Sequence, residues 1–572
     1  MKTKLSPFWI FYSIVVCFTA CQPKEYADQI LYNGTIYTAD SLDRMVQAIA
    51  VKGDRILQVG TDVEIMHFRG PKTTMQNLEG AFVMPGLIEG HGHFLSLGKS
   101  LLQLNLSTTR SWMEIVDKTR DAVAKATLGS WIEGRGWHQE KWIDEAEAKF
   151  NGYPYHDALS AVSPNHPVVL VHASGHALIA NQKAMDMAGI SPESIAPRGG
   201  RIVKDQLGKL TGVFEENAMD LINHAMDEAK KKLPSEEKIG FLRQQAQLAS
   251  QECLKHGITS FQDAGSSLEE IILQKQWCDS GLIANRLWVM LYADETEVQK
   301  SMDALPISDE TTHRFHAQAV KAYVDGALGS YGAWLLEAYD DKHDHHGQNT
   351  MPLDRLNELA EQCLRRNLQL CVHGIGDRAN REILNIFEKQ LTSDPGHDRR
   401  WRIEHAQHLD TADIPRFAAL DVIASMQTIH CTSDAPFVEK RLGGFRAKTG
   451  AYAWRSLIQS GARMANGTDC PVESINPFEC MYAAVTRKRL DNGLPFYTEQ
   501  KLSRVEALRS YTIWNAYAAF EEKIKGSLEA GKLADLVVLD RNVLQCTDEE
   551  LATTKVKKVF IGGRTIAQFP VH

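Results

Sequence analysis

The ten cysteines include no Cys-x-x-Cys pair and no regular spacing, which excludes a zinc ribbon and a disulfide-built scaffold. There is no stripe of one charge either. The 63 lysines and arginines are interspersed with 72 aspartates and glutamates, for a formal charge of −9. Nucleic acid is therefore not an expected partner, because binding phosphate needs clustered basic side chains. The mild acidity reads as solubility. No low-complexity tract or solenoid repeat is present, and no apolar run is long enough to cross a bilayer. What remains is ordinary globular composition, 44% hydrophobic and 24% charged, over 572 residues. That length buries a large core and divides into two or three structural units.

Lys2 and Lys4 precede a short apolar stretch, about residues 8–18, that leads into Phe18-Thr19-Ala20-Cys21. This reads as a secretory signal over residues 1–20. Small residues just before a cysteine resemble the bacterial lipobox, in which the cysteine is lipidated and becomes the new N-terminus. The expectation is an exported protein held to a bacterial membrane through Cys21, facing the periplasm or the cell surface, with 21–27 as a tether. The competing reading is a plain signal peptide with an incidental cysteine.

Residues 28–80 read as short strands and tight turns. Asn33-Gly34 is a hairpin signal between Gln29–Tyr32 and Thr35–Thr38, and Ala48–Gly60 repeats the idea around Gly53-Asp54. A β unit of that size cannot close its own core. Residues 526–572 supply a partner, with a strand before Asp540 and a hairpin over 556–566. The two ends are expected to form one discontinuous β-sandwich around a central domain at 81–525.

That central domain alternates helical patterns with apolar runs at Phe82–Leu87, Ile258–Gln262, Arg286–Leu291, Ala319–Val324, Leu368–Val372, Arg402–Glu404, Val422–Met426 and Ala462–Ala465. Eight such runs predict an α/β fold, a (β/α)8 TIM barrel. The interval of about 105–235 is too long for a crossover helix and reads as an inserted subdomain. It holds Trp112, Trp131, Trp137 and Trp142, most of which read as packing.

The chemistry lies at the ends of the runs. His91-Gly92-His93 presents two imidazoles with the same parity, so both reach one point. Lys321 sits in an apolar run, where an ammonium is costly. His373, His405 and Asp469 each follow another candidate strand. In such a barrel the C-terminal strand ends share one mouth, so all six are placed around one site. Cys371 and Cys470, next to these positions, read as inert core thiols.

Seven motifs together resemble the metal-dependent amidohydrolase superfamily and, within it, the YtcJ-like, amidohydrolase-3 branch. They are Pro-Gly-x-x-x-x-His-x-His at 85–93, Gly-Ile-Thr-Ser-x-x-Asp at 257–263, Lys-x-x-x-Asp-Gly at 321–326, His-x-x-Gly-Asp at 373–377, Arg-Ile-Glu-His at 402–405, Gly-Thr-Asp-x-Pro at 467–471, and the glycine-rich run from Gly526 to Val537. The resemblance implies that His91, His93 and Asp469 hold one divalent metal, that His373 and His405 hold a second, and that carboxylated Lys321 bridges them. Zinc is the first expectation, with manganese, iron or cobalt also compatible.

Hydroxide bridging the metals would attack an amide, N-formyl or cyclic-amide carbonyl, with Asp469 as general base and acid. His176 and Arg402 are the expected substrate contacts, and Glu404 is either a partner of a metal ligand or a plain ion pair. A small-molecule substrate follows, and self-association into a homo-oligomer stays open. The alternatives are a deaminase or lactonase on the same barrel, and a lipid-tethered binding protein that has lost catalysis. The segment Gly329–Trp334 departs from the branch, where many relatives carry Arg or Thr, so substrate identity is not transferable there.

Overall fold

The computed structural model describes residues 25–139, 142–143, 149–172, 177–197, 200–293 and 298–570. Cys21 with the rest of the leader, and His176, lie outside the described residues. Eight parallel strands form the centre: Leu87–Gly92, Ile258–Ser266, Arg286–Tyr292, Phe315–Tyr323, Gln369–Gly374, Arg402–His405, Ile423–Met426 and Arg463–Asn466. Their apolar side chains are almost wholly buried, as both faces of a barrel strand are covered.

The barrel is nearly closed. Hydrogen-bonded pairing runs from the eighth strand back to the first without joining those two directly. A side chain bridges this seam. Asn515, on the helix Ile513–Ala518, donates to Ile88 O and Asn466 O, each at 2.7 Å, and accepts from Asn466 N at 2.9 Å. Glycine is required opposite it, since a Cβ on Gly90 would lie 2.4 Å from Asn466 O.

One expected strand changes place. Phe82–Pro85 does not belong to the barrel. It pairs antiparallel with Leu536–Leu539 and parallel with Thr35–Tyr37 in a six-stranded sheet drawn from both chain ends. The barrel strand begins after Gly86. The hairpin at Asn33-Gly34 is also not formed. Asn33 takes the left-handed φ of 57° that the signal implies, but the turn passes the chain between two sheets. Gln29–Tyr32 pairs with Ala48–Lys52 and Thr74–Asn77 in a four-stranded sheet. Hairpins do form at 48–60 and 556–568, the latter with Gly562 and Gly563 both at positive φ. One apolar cluster takes Leu31, Ile49 and Val59 from the smaller sheet and Val83, Leu536 and Phe560 from the larger. Between the first and second barrel strands, residues 104–216 build a separate six-stranded sheet on which Trp112 and Trp137 are buried.

Buried charges fasten the C-terminal segment beneath the barrel. Arg286 binds Asp535 through two hydrogen bonds of 2.7 and 3.0 Å, and Lys525 reaches Glu521 at 2.7 Å and Ser260 at 2.6 Å. His316, buried at the base of the fourth strand, lies 3.8 Å from Glu521. Burial holds its pKa below the ordinary histidine range, against the pull of Glu521. A histidine neutral when folded but protonated when unfolded makes stability fall as pH drops below about 6.5, by at most about 1.4 kcal/mol per pH unit. Denaturant titrations at pH 7.5 and 5.5 should show a smaller acid loss in His316→Gln than in the wild type. An equal loss in both contradicts this assignment.

Candidate active site

The first strand delivers His91 at its fifth residue, and His93 caps the helix Phe94–Leu102 that follows. The fourth strand carries Lys321 and the fifth His373, both near their C-terminal ends. The sixth ends on His405, and Asp469 follows the eighth by three residues. His405 and Asp469 have left-handed φ values of 74° and 57°, which side chains rarely adopt. The strain persists because neighbours fix it: Asp469 N donates to His91 O at 2.7 Å, and Thr468 N donates to Glu89 Oε1 at 2.6 Å.

The structure brings all six predicted side chains together. Asp469 Oδ1 is 3.2 Å from His93 Nε2 and 3.6 Å from His91 Nε2. Lys321 Nζ is 3.5 Å from His91 Nε2. The rings of His91 and His405 are 4.8 Å apart, and those of His373 and His405 4.5 Å. Candidate ligand atoms of His91, His405 and Asp469 lie within 4.8 Å of one another.

Each partner leaves a lone pair facing the centre. His91 Nδ1 is bonded to Glu404 and His405 Nδ1 to Gln427 Oε1 at 2.7 Å, so each Nε2 is left to face the centre. Among the described residues neither nitrogen of His373 has a hydrogen bond, and nor does Asp469 Oδ1. Burial, then the Lys321 ammonium, lowers the pKa of His91 to about 4, and the same two causes lower that of His373 to about 3. Burial lowers Lys321 as well, against Glu404 and Asp469. Burial pushes the Asp469 carboxyl up, but His93, His91 and His405 outweigh it and hold it well below the usual range. Neutral imidazoles with unused lone pairs around an ionised carboxylate are the donor set a divalent cation takes, so the residues fit the metal centre.

The expected substrate contact at Arg402 needs correction. Its side chain is fully buried, and its guanidinium is already taken up by Glu404 at 2.6 Å, Gln262 at 2.6 Å, Gly90 O at 2.8 Å and Ser425 at 2.7 Å. It lies below the mouth and braces Glu404, which is both an ion-pair partner and the residue that orients His91. Arg402, His91 and Lys321 hold the Glu404 carboxyl far below its ordinary range against a strong burial penalty. Cys371 and Cys470 are buried free thiols, pushed up by burial.

Sequence reasoning missed Gln427, Glu89 and Asp325. Gln427 follows the seventh strand directly, a position that in a barrel signals the mouth. Asp325 accepts from Ile375 N, Gly376 N and Trp334 N, at 3.0, 2.8 and 2.8 Å, and lies 3.5 Å from His373 Nε2. It ties the Gly329–Trp334 segment to the loop behind His373.

Comparison with known proteins agrees with this geometry. A family model described as "Amidohydrolase family" matches residues 74–567. The chain is 32% identical to Protein LONG AFTER FAR-RED 3 of Arabidopsis thaliana, over 94% of this chain and 91% of that one. It is 26% identical to an N-substituted formamide deformylase of Arthrobacter pascens, over 94% and 98%. An uncharacterized metal-dependent hydrolase from Pyrococcus furiosus superposes with a TM-score of 0.73 at 26% identity, over 90% of this chain and all of that one.

Proposed function

This chain belongs to the amidohydrolase family and is a metal-dependent hydrolase of carbon–nitrogen bonds; on that premise we propose that it cleaves a small non-peptide amide, with N-formyl compounds first among candidates. The observation that carries this reading is the convergence of three buried histidines, the half-buried His93, Lys321 and Asp469 on one centre. The activity printed for the Arthrobacter relative supports the N-formyl class.

In the proposal His91, His93 and Asp469 hold one divalent cation and His373 and His405 a second, with zinc favoured by the nitrogen-rich set. Once bound, the cations supply Lewis acidity towards water and a carbonyl oxygen. The chain's own residues do the rest. Burial favours the free amine of Lys321, which would add to carbon dioxide: the N–C bond forms as one C=O π bond opens, the proton passes to solvent, and the carbamate would be an anionic oxygen donor for the cations. Asp469 takes a proton from the attacking water on its ionised carboxylate and returns it to the leaving nitrogen as the C–N bond breaks. Glu404 and Gln427 hold the tautomers of His91 and His405 throughout.

Metal-loaded protein should release amine and acid from N-formyl compounds or simple amides. Ammonia from aminated heterocycles alone, or ring opening of lactones alone, contradicts the proposal and selects a deaminase or lactonase. The leader supports a second part of the proposal, export and anchoring through lipidated Cys21. The expressed protein should partition into detergent, and Cys21→Ser should move it to the aqueous phase. Equal partitioning of the two contradicts the anchor.

A further inference from the structure

Two tyrosines stand against Lys321, and the reaction proposed above uses neither. Tyr323 lies two residues beyond Lys321 on the fourth strand, so both side chains point into the barrel and Tyr323 is the nearer to the mouth. Lys321 Nζ lies over the Tyr323 ring, 4.8 Å from its centre. The same ring is 5.2 Å from that of His373, its neighbour in register on the fifth strand. Tyr292 ends the third strand and is paired in register with Lys321, so it points inward beside it. The two tyrosine rings stack 6.2 Å apart and 29° from parallel.

The backbone makes room for this pair. Gly265, near the end of the second strand, has a φ of 138°, and a Cβ there would lie 2.4 Å from Tyr292 Cε1. A side chain at this position would push Tyr292 out of its place. Tyr323 and Tyr292 are both half-buried, whereas Lys321 beside and beneath them is 1% exposed. The rings therefore stand between the lysine nitrogen and the solvent of the mouth.

That placement matters to a carbamate. A carbamate is lost when a proton reaches its nitrogen: the N–C bond breaks, its electron pair stays on nitrogen, carbon dioxide leaves and the amine is restored. Water brings the proton, and a site that excludes water suppresses such side reactions. We infer that Tyr323, backed by Tyr292, is a positioning residue that covers the nitrogen of Lys321 and keeps water away from its carbamate. The ring face and not the hydroxyl does this, because the face is what lies on the nitrogen. This inference rests on the carbamate proposed above.

The test uses zinc-loaded protein equilibrated with bicarbonate labelled with carbon-13 and then moved to buffer freed of carbon dioxide. The labelled carbamate is followed by NMR. In Tyr323→Val the label should be lost at least about tenfold faster than in the wild type, from the same starting content of metal. In Tyr323→Phe, which keeps the ring and drops the hydroxyl, the rate should stay within about twofold. Tyr292→Val should also lose label faster than the wild type, and it carries the test where Tyr323→Val fails to fold. Equal decay in the wild type and the valine variants overturns the cover and leaves the carbamate standing. Loss as fast in Tyr323→Phe as in Tyr323→Val also overturns it, by placing the effect on the hydroxyl. So does a Tyr323→Val protein that binds less metal while saturated with carbon dioxide, which would make the ring a support of the metal centre. A wild type with no labelled carbamate removes the bridging role of Lys321 itself, and the inference falls with it.

Discussion

Asp469→Asn loses turnover by about a thousandfold or more while the protein keeps its fold. Asparagine retains the shape and one oxygen but cannot take the proton that Asp469 is placed to move. Burial pushes this carboxyl up, but His93, His91 and His405 outweigh it and keep it ionised, and its Oδ1 lies 3.2 Å from His93 Nε2 and 3.6 Å from His91 Nε2. The backbone at this residue is fixed by His91 O and by the turn after the eighth strand, not by the carboxylate itself, so the variant should melt close to the wild type. The loss should fall on kcat far more than on KM. Near-normal turnover by Asp469→Asn removes this residue from proton transfer.

Lys321→Ala should bind about one metal equivalent where the wild type binds two, with activity down by at least about a hundredfold. Lys321 is 1% exposed and its Nζ is 3.5 Å from His91 Nε2, so its nitrogen stands at the centre itself. Formate or acetate at millimolar concentration should restore part of the activity by placing two carboxylate oxygens in the vacated space. Metal analysis showing two equivalents and no response to added carboxylate rules out the bridging role.

Much of this was legible in the sequence because barrel strands advertise themselves. Seven of the eight overlap an apolar run read from the sequence, and the chemistry sits at or just beyond their C-terminal ends. The first is the exception. Leu87–Gly92 contains Glu89, two glycines and His91 and shows no apolar alternation, while the apolar run just before it, Phe82–Pro85, is spoken for by the end sheet. The glycine that blurs the pattern is the one the seam demands. Asn33-Gly34 shows a related limit: a turn signal fixes the backbone at two residues but not which sheet each flanking strand joins.

The ligand set was readable because each ligand stands in a motif with a strand before it. Arg402 was misplaced because the motif records its identity and not its depth. Residues 402 and 404 share parity and point into the barrel, with Arg402 one step lower. His405 has the opposite parity and reaches the mouth only through its left-handed backbone, which no sequence pattern encodes. Gln427 and Asn515 are single polar residues whose meaning comes from what faces them across the barrel.

The most direct measurement is anomalous diffraction from crystals of the metal-loaded protein. The account predicts two metal peaks about 3.5–4 Å apart, one against His91, His93 and Asp469 and the other against His373 and His405, with carbamate density on Lys321 between them. Metal bound elsewhere, or Lys321 lying bare beside a single peak that leaves His373 and His405 without a metal, contradicts it.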